Sequence, residues 1–386
     1  MANLINGFPF DSGDFADDSD VALVRIRDIL ASDFETYVPA SKVPRSVMIR
    51  DGDVVIGMDG DFNSVYWQRG AAALNQRLCL LRANAAADAR YLAYTLPTEL
   101  AKINEVTYST TVKHLSSEQV RRIKLWAPDV QGQARIADFL DRDTAKIDAL
   151  IDKQGALISA LGERRVAAIE SVLLSKGAPS ALGHFVSALP GYAFDSDGFS
   201  ANPDGGVRLL RGVNVKPGST DWAEVVHWPA DALQGLGAYL LKPNDVVLGL
   251  DRPFIAGGTR VALIQGSDLP CLLLQRVLRL RARQNMDPRY LALLLMTRAF
   301  QEYATPEFTG VSVPHLSDKQ VRSFSARIPV LEVQRSMAEA VYGTIAGIDA
   351  LIGKAQRTIE LAQERRAALI TAAVTGRLDI STGEVA

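Results

Sequence analysis

The sequence predicts a mixed α/β (α+β) chain: two similar globular domains separated by two long antiparallel helices that form a coiled coil. Three observations predict it. Most of the chain is written twice, each copy ends in a long stretch with no proline, and both stretches carry an apolar stripe in the same phase.

The repeat runs in order. Asn6-Gly-Phe-Pro-Phe-Asp-Ser-Gly-Asp-Phe15 returns as Pro190-Gly-Tyr-Ala-Phe-Asp-Ser-Asp-Gly-Phe199, and Gly52-Asp-Val-Val-Ile-Gly57 as Asn244-Asp-Val-Val-Leu-Gly249. Gln76-Arg-Leu returns as Gln275-Arg-Val, Arg90-Tyr-Leu-Ala as Arg289-Tyr-Leu-Ala, and His114-Leu-Ser as His315-Leu-Ser. Ile147-Asp-Ala-Leu-Ile returns as Ile348-Asp-Ala-Leu-Ile, and Glu163-Arg-Arg as Glu364-Arg-Arg. The offset grows from 184 to 201 and then holds, so the second copy carries extra loop residues early. Two copies are too few to stack as a solenoid. The expected domains are globular 1–130, helical 131–176, globular 177–333 and helical 334–386.

Within each copy the elements have local causes. Asp53-Val-Val-Ile and Asp245-Val-Val-Leu are β-branched runs bounded by turn residues and read as strands. Residues 88–103 and 287–303 space their apolar residues as helices do. Ser116 with Gln119, and Ser317 with Gln320, form capping boxes, while Leu115/Val120 and Leu316/Val321 form hydrophobic staples. A strand is expected next, ending at Pro128 and at Pro329. From Gln133 to Leu174 nothing breaks a helix, and about 40 residues make a rod of roughly 60 Å. Such a rod must bury its stripe, and the other copy is the nearest partner. The expected seam joins Ile147, Leu150, Ile151 and Ile158 to Ile348, Leu351, Ile352 and Ile359. Aspartate at Leu150 is then expected to cost several kcal/mol.

Composition narrows the function. A chain of 386 residues, 48% hydrophobic and 22% charged, has room for two or three folded domains. The net charge is −2, with 14 Lys/Arg against 17 Asp/Glu in residues 1–130 and 15 against 14 in 177–333. No region is strongly basic, which argues against a stand-alone tight nucleic-acid binder. Cys79 and Cys271 sit in apolar runs and read as buried thiols of a cytoplasmic protein. The first residues are too polar for a signal peptide, and no apolar run is long enough for a membrane span. No P-loop, dinucleotide fingerprint, Asn/Asp-Pro-Pro-aromatic motif or Cys/His metal spacing occurs, so no metal, no cofactor and no catalytic residue is expected. His114 and His315 accompany a duplicated helix cap and read as structural.

The whole pattern resembles the specificity subunit of type I restriction-modification enzymes. Gln133-Ala-Arg-Ile-Ala-Asp-Phe-Leu with Lys146-Ile-Asp-Ala-Leu-Ile and Glu163-Arg-Arg is similar to that family's central conserved region. Glu364-Arg-Arg-Ala-Ala-Leu-Ile and Thr375-Gly-Arg-Leu-Asp-Ile380 are similar to its distal one. The Gly-Phe-Pro-Phe-Asp-Ser segment and its repeat resemble the openings of target-recognition domains. Two features depart: a lead-in, Leu182-Gly-His-Phe-Val-Ser-Ala-Leu, precedes only the second opening, and Glu332-Val-Gln-Arg-Ser-Met starts the second long helix more loosely.

The resemblance implies a non-catalytic subunit whose two domains each read half of a bipartite site on double-stranded DNA, spaced by the helices. It implies two methyltransferase subunits and motor-nuclease subunits as partners, which would carry S-adenosylmethionine, ATP and Mg. It does not pick out the reading residues. By residue type, candidates are Arg25, Arg27, Trp67, Gln68, Arg69, Arg77, Ser109, Thr110, Thr111 and Lys113 in the first domain. In the second they are Arg211, Asn214, Lys216, Arg252, Arg260, Arg276, Thr309 and Ser312. Gln76 and Gln275, each beside apolar residues, read as structural. Glu163, Arg164, Arg165, Glu364, Arg365 and Arg366 are the candidate partner-docking residues, duplicated as two copies of one partner would require. The competing reading is a long-helix scaffold of another complex, with domains turned to protein or RNA.

Overall fold

The computed structural model describes residues 1–107, 113–174, 177–201, 204–255, 257–305, 315–380 and 384–385. The chain divides into two units: residues 1–155 with 356–386, and residues 156–355. Each unit therefore holds one globular copy and one end of each long helix.

In the first unit an antiparallel sheet runs Ala2–Asn6, Leu78–Ala83, Val54–Gly57, Ser64–Tyr66. A second sheet contains a parallel pair, Val21–Val24 beside Ala72–Leu74. The other unit repeats this with Val186–Pro190, Val277–Ala282, Val246–Gly249 and Val261–Leu263, and with Gly206–Leu210 parallel to Cys271–Leu273. The repeated Asp-Val-Val run explains the shared plan. Gly52 and Asn244 take the left-handed turn before the strand, at φ 92° and 69°. The buried Asp53 then holds Arg82 at 2.6 Å across the sheet, and Asp245 holds Arg281 at 2.6 Å. The following valines and Ile56 or Leu248 enter the core.

The helix Ala89–Val106 packs Leu92, Leu96 and Leu100 on one sheet face, and its first N–H groups are capped by Asp88. Its counterpart, also capped by an aspartate, Asp287, is broken into Pro288–Met296 and Arg298–Ala304. Thr297 leaves the helical region there, and its hydroxyl caps the second piece. Both duplicated capping boxes form as expected.

The long helices span Val130–Glu170 and Leu331–Val374 and run antiparallel. Asp148 pairs with Arg366 in the first unit and Arg165 with Asp349 in the second. The partners move 17 residues forward on one helix and 17 back on the other. In the first unit the seam is Ile136, Ala137 and Leu140 against Leu369, Ile370, Ala373 and Val374. In the second, Ile169 and Val172 join a cluster with Ala338, Val341 and Ile345.

The start of each helix is fastened to its own globular copy by one buried glutamine. Gln133 accepts the Asp88 N–H at 3.0 Å and donates to the Pro128 carbonyl at 2.9 Å. Gln334 does the same with Asp287 at 2.8 Å and Pro329 at 2.8 Å. The second start is thus as well built as the first, despite its looser match. The far ends are fastened by tyrosine. The Tyr91 hydroxyl donates to the Trp126 carbonyl and lies 3.5 Å from that of Val374. The Tyr290 hydroxyl reaches Val172 at 3.3 Å and Arg327 at 3.5 Å. The second helix therefore ends in the first unit as the first helix ends in the second.

Two expectations need correction. Leu150 and Leu351 are 41% and 49% exposed, while Ile147 and Ile348 are buried and Ile151, Ile158, Ile352 and Ile359 half-buried. Two helices alone share a narrow seam, and one residue turns about 100° away from it. Of the two strands expected to end at Pro128 and Pro329, only the second forms. Ser325–Ile328 pairs with Ala178–Ala181 ahead of the second globular copy, whereas residues 123–128 form no strand. Trp126 instead lies against the turn behind the second long helix. That turn is a Schellman motif: the Arg377 N–H reaches the Ala372 carbonyl at 2.9 Å and Gly376 sits at φ 72°. The segment Thr375-Gly-Arg-Leu-Asp-Ile380 is thus a helix stop.

Two outcomes follow for urea unfolding of the intact chain. Ile147→Asp lowers stability by several kcal/mol, because its charge enters the seam, while Leu150→Asp costs about 1 kcal/mol or less. Gly376→Ala costs about 1–2 kcal/mol from its left-handed backbone alone, and more because a Cβ would lie 2.7 Å from the Trp126 ring.

Candidate nucleic-acid interface

The candidate residues fall into three groups. The first serves the fold. Trp67 is fully buried, with its indole N–H on the Gly70 carbonyl, so it presents no edge to a duplex. Asn214 is buried too, donating to the carbonyls of Asp221 and Glu224. Both stood among the candidates by residue type, and burial removes them. Arg69 lies over Trp67, 4.1 Å from the ring centre, and donates to the carbonyls of Asp28, Ile29 and Ala31. Burial pulls its guanidinium below the usual arginine range. Arg25 is bound by Asp28 and Glu35, and its counterpart Arg211 donates to the Glu224 carbonyl. Arg260 covers Gly249 and donates to the Val215 and Asp251 carbonyls, and burial lowers its pKa. The Lys113 ammonium is held by Asn104.

The second group is exposed, apart from the half-buried Lys216. Gln68 is exposed, Arg27 pairs loosely with Glu35 at 3.4 Å, and Lys216 with Asp221 at 3.6 Å. Arg252 is exposed at φ 44°. Arg77 and Arg276 extend from the sheet ends and belong to the constellation described next. Ser109, Thr110, Thr111, Thr309 and Ser312 form the third group and lie outside the described residues.

One constellation recurs in both units. After the central strand, Asp59 accepts His114 Nδ1 at 2.6 Å and Arg77 Nη1 at 3.2 Å. Asp251 accepts His315 Nδ1 at 2.7 Å and also the Arg276 guanidinium. Burial alone would raise the Asp251 carboxyl, but the hydrogen bonds from His315 and Arg276 outweigh it and hold the pKa below the usual value. The backbone frames are the same. Met58 N–H donates to Arg77 O and Leu115 N–H to Met58 O; Leu250 and Leu316 repeat both bonds with Arg276 and Leu250. Arg77 and Arg276 both sit at φ 68°, which costs an L-residue about 1–2 kcal/mol. Beside them Gln76 and Gln275 are exposed, as are the rings of Phe8 and Tyr192. Gly7 and Gly191 make this approach possible: a Cβ there would lie 1.8 and 1.9 Å from the carbonyls of Asn75 and Leu274.

Sequence reasoning missed Asp59, Asp251 and the exposure of both glutamines. The signal was present in the repeats Gly57-Met-Asp59 and Gly249-Leu-Asp251, and in Gln-Arg ahead of a strand in both copies.

On the long helices the duplicated Glu-Arg-Arg divides its work. Arg165 and Arg366 are spent on Asp349 and Asp148 of the opposite helix. Glu163, Arg164, Glu364 and Arg365 stay exposed. Among the described residues no cluster of His, Cys, Asp and Glu suits a metal ion, both cysteines are buried free thiols, and no helix is long and apolar enough to cross a membrane.

Known proteins share this plan. The family profile "Type I restriction modification DNA specificity domain" matches residues 1–157. The EcoAI specificity subunit of Escherichia coli is 41% identical over 141 residues, which are 36% of this chain and 23% of that protein. The EcoBI subunit of Escherichia coli is 38% identical over 39% of this chain and 32% of its own length, so those matches span only a quarter to a third of either relative. The MjaVIII specificity subunit of Methanocaldococcus jannaschii is 24% identical over 92% of this chain and 84% of that protein. In fold, a chain from a solved type I restriction-modification assembly has TM-score 0.67 at 15% identity, covering 98% of both chains. The HsdS subunit from Thermoanaerobacter tengcongensis has TM-score 0.53 at 17% identity over 92% of this chain and 89% of that one. With its two units built on one plan and its paired long helices, the chain is similar in sequence and in fold to specificity subunits of type I restriction-modification enzymes.

Proposed function

We propose that this chain selects DNA for a methyltransferase: residues 1–130 read one half of a bipartite target and 177–333 the other, as target-recognition domains. The observation that carries this is one scaffold used twice with different surface loops. A bipartite site needs two readers of one build and unlike contacts. The near-neutral charge fits a reader that takes most of its phosphate attraction from partners.

Arg27, Gln68, Arg77, Lys216, Arg252 and Arg276 supply donors for the duplex; by residue type, Ser109, Thr110, Thr111, Thr309 and Ser312 act with them. The long-helix segments 131–176 and 334–386 space the readers, and exposed Glu163, Arg164, Glu364 and Arg365 dock two methyltransferase subunits. Those subunits bind S-adenosylmethionine, and motor-nuclease subunits use ATP and Mg, all in the cytoplasm.

Domain exchange tests this reading. Replacing residues 177–333 by those of a related subunit should change one half of the sequence methylated by the reconstituted complex and leave the other half intact. Affinity for a duplex bearing the mapped site should exceed that for one lacking it by about 10³-fold or more. Change in both halves at once, or no DNA binding with methyltransferase subunits present, overturns it.

A further inference from the structure

We propose that the duplicated cluster, Asp59–His114–Arg77 in one domain and Asp251–His315–Arg276 in the other, grips the phosphodiester backbone of duplex DNA independently of sequence. This rests on the DNA-reading proposal and assigns a role within it. Residues that read bases must differ between domains with different half-sites. Residues that hold the backbone meet the same chemistry everywhere and can stay the same. This trio, with its angles and bonds, is the same in both units.

The backbone argues that the arginine is there for its side chain. At φ 68° glycine or asparagine sits more easily, yet both copies place arginine. Beyond its bond to the aspartate the fold makes little use of that choice, since the side chains of Arg77 and Arg276 are 62% and 68% exposed. The aspartate occupies one edge of the guanidinium and the inner nitrogen of the imidazole. Two donors are thereby fixed in direction on side chains that are more than half exposed. An arginine held this way loses little freedom on meeting an oxyanion and can present two parallel N–H groups to it. His114 and His315, 54% and 55% exposed, offer their Nε2 edge beside it. Because the aspartate cancels one charge, the grip is directional rather than a broad basic patch, in keeping with a chain of net charge −2.

The test uses the full chain reconstituted with its methyltransferase subunits. Arg77→Gln, Arg276→Gln and the double variant are titrated with two duplexes of about 40 base pairs, one bearing the mapped target and one of mixed sequence, over a KCl series. Arg77→Asn serves as a folding control, since asparagine suits the left-handed turn. We expect each single variant to lose about 10-fold in affinity on both duplexes, and the slope of log K against log salt to fall by about 0.9 per arginine removed. The methylated sequence should not change. Unchanged affinity and slope in Arg77→Asn with wild-type thermal stability overturns the proposal. So does a loss confined to one base pair of the target, which would make the arginine a base reader. If the wild-type complex binds neither duplex, the DNA-reading proposal itself fails, which is a different result.

Discussion

The fold depends on how buried backbone groups are satisfied where a globular copy meets the ends of two helices. A long helix leaves orphan groups at its ends, and so does the loop that feeds it. Gln133 and Gln334 each bridge a helix-capping aspartate's N–H to the carbonyl ahead of the long helix. Tyr91 and Tyr290 sit one turn from those caps and reach the carbonyls at which the opposite helix ends. Four uncharged side chains thus join each copy to the start of its own helix and the end of the other. Loss of any of them would strand a polar group in an apolar setting, which costs more than the bond itself contributes.

That arrangement makes the antiparallel pairing a necessity. Each unit takes one helix start and one helix end, so the helices must run oppositely within it. The seam uses small residues where the backbones come close, with Ala137 and Ala338 fully buried. The paired charges Asp148–Arg366 and Arg165–Asp349 flank it and set its register. Being partly exposed, they specify alignment more than they add stability. The same economy leaves leucines such as Leu150 and Leu351 in solvent, on a face that the two helices do not cover between them.

Charge follows a similar logic. Many arginines are committed within the chain: to the buried aspartates Asp53 and Asp245, to carbonyls, or over aromatic rings. What remains for a polyanion is a small set of oriented donors. This is why overall charge said little about binding, and why the informative feature is the few arginines whose outer edges are open.

The sequence by itself determined the duplicated plan, the domain order, the capped short helices and the two long ones, because these rest on local pattern: strand runs, capping boxes, absence of proline and a helical period. It also carried the resemblance to specificity subunits, through motifs whose order no single element explains. Only the tertiary structure decided which residues of the stripe are buried, since that depends on how many neighbours a helix has and not on its own period. It alone placed Trp67 and Asn214 inside, made Thr375-Gly-Arg a helix stop against Trp126, and brought Asp59 to His114 and Arg77. Those three are separated by 18 and 37 residues along the chain, and no local rule joins them. Strand register does, because pairing Ile56 with Cys79 sets the end of one strand beside the turn that opens the next.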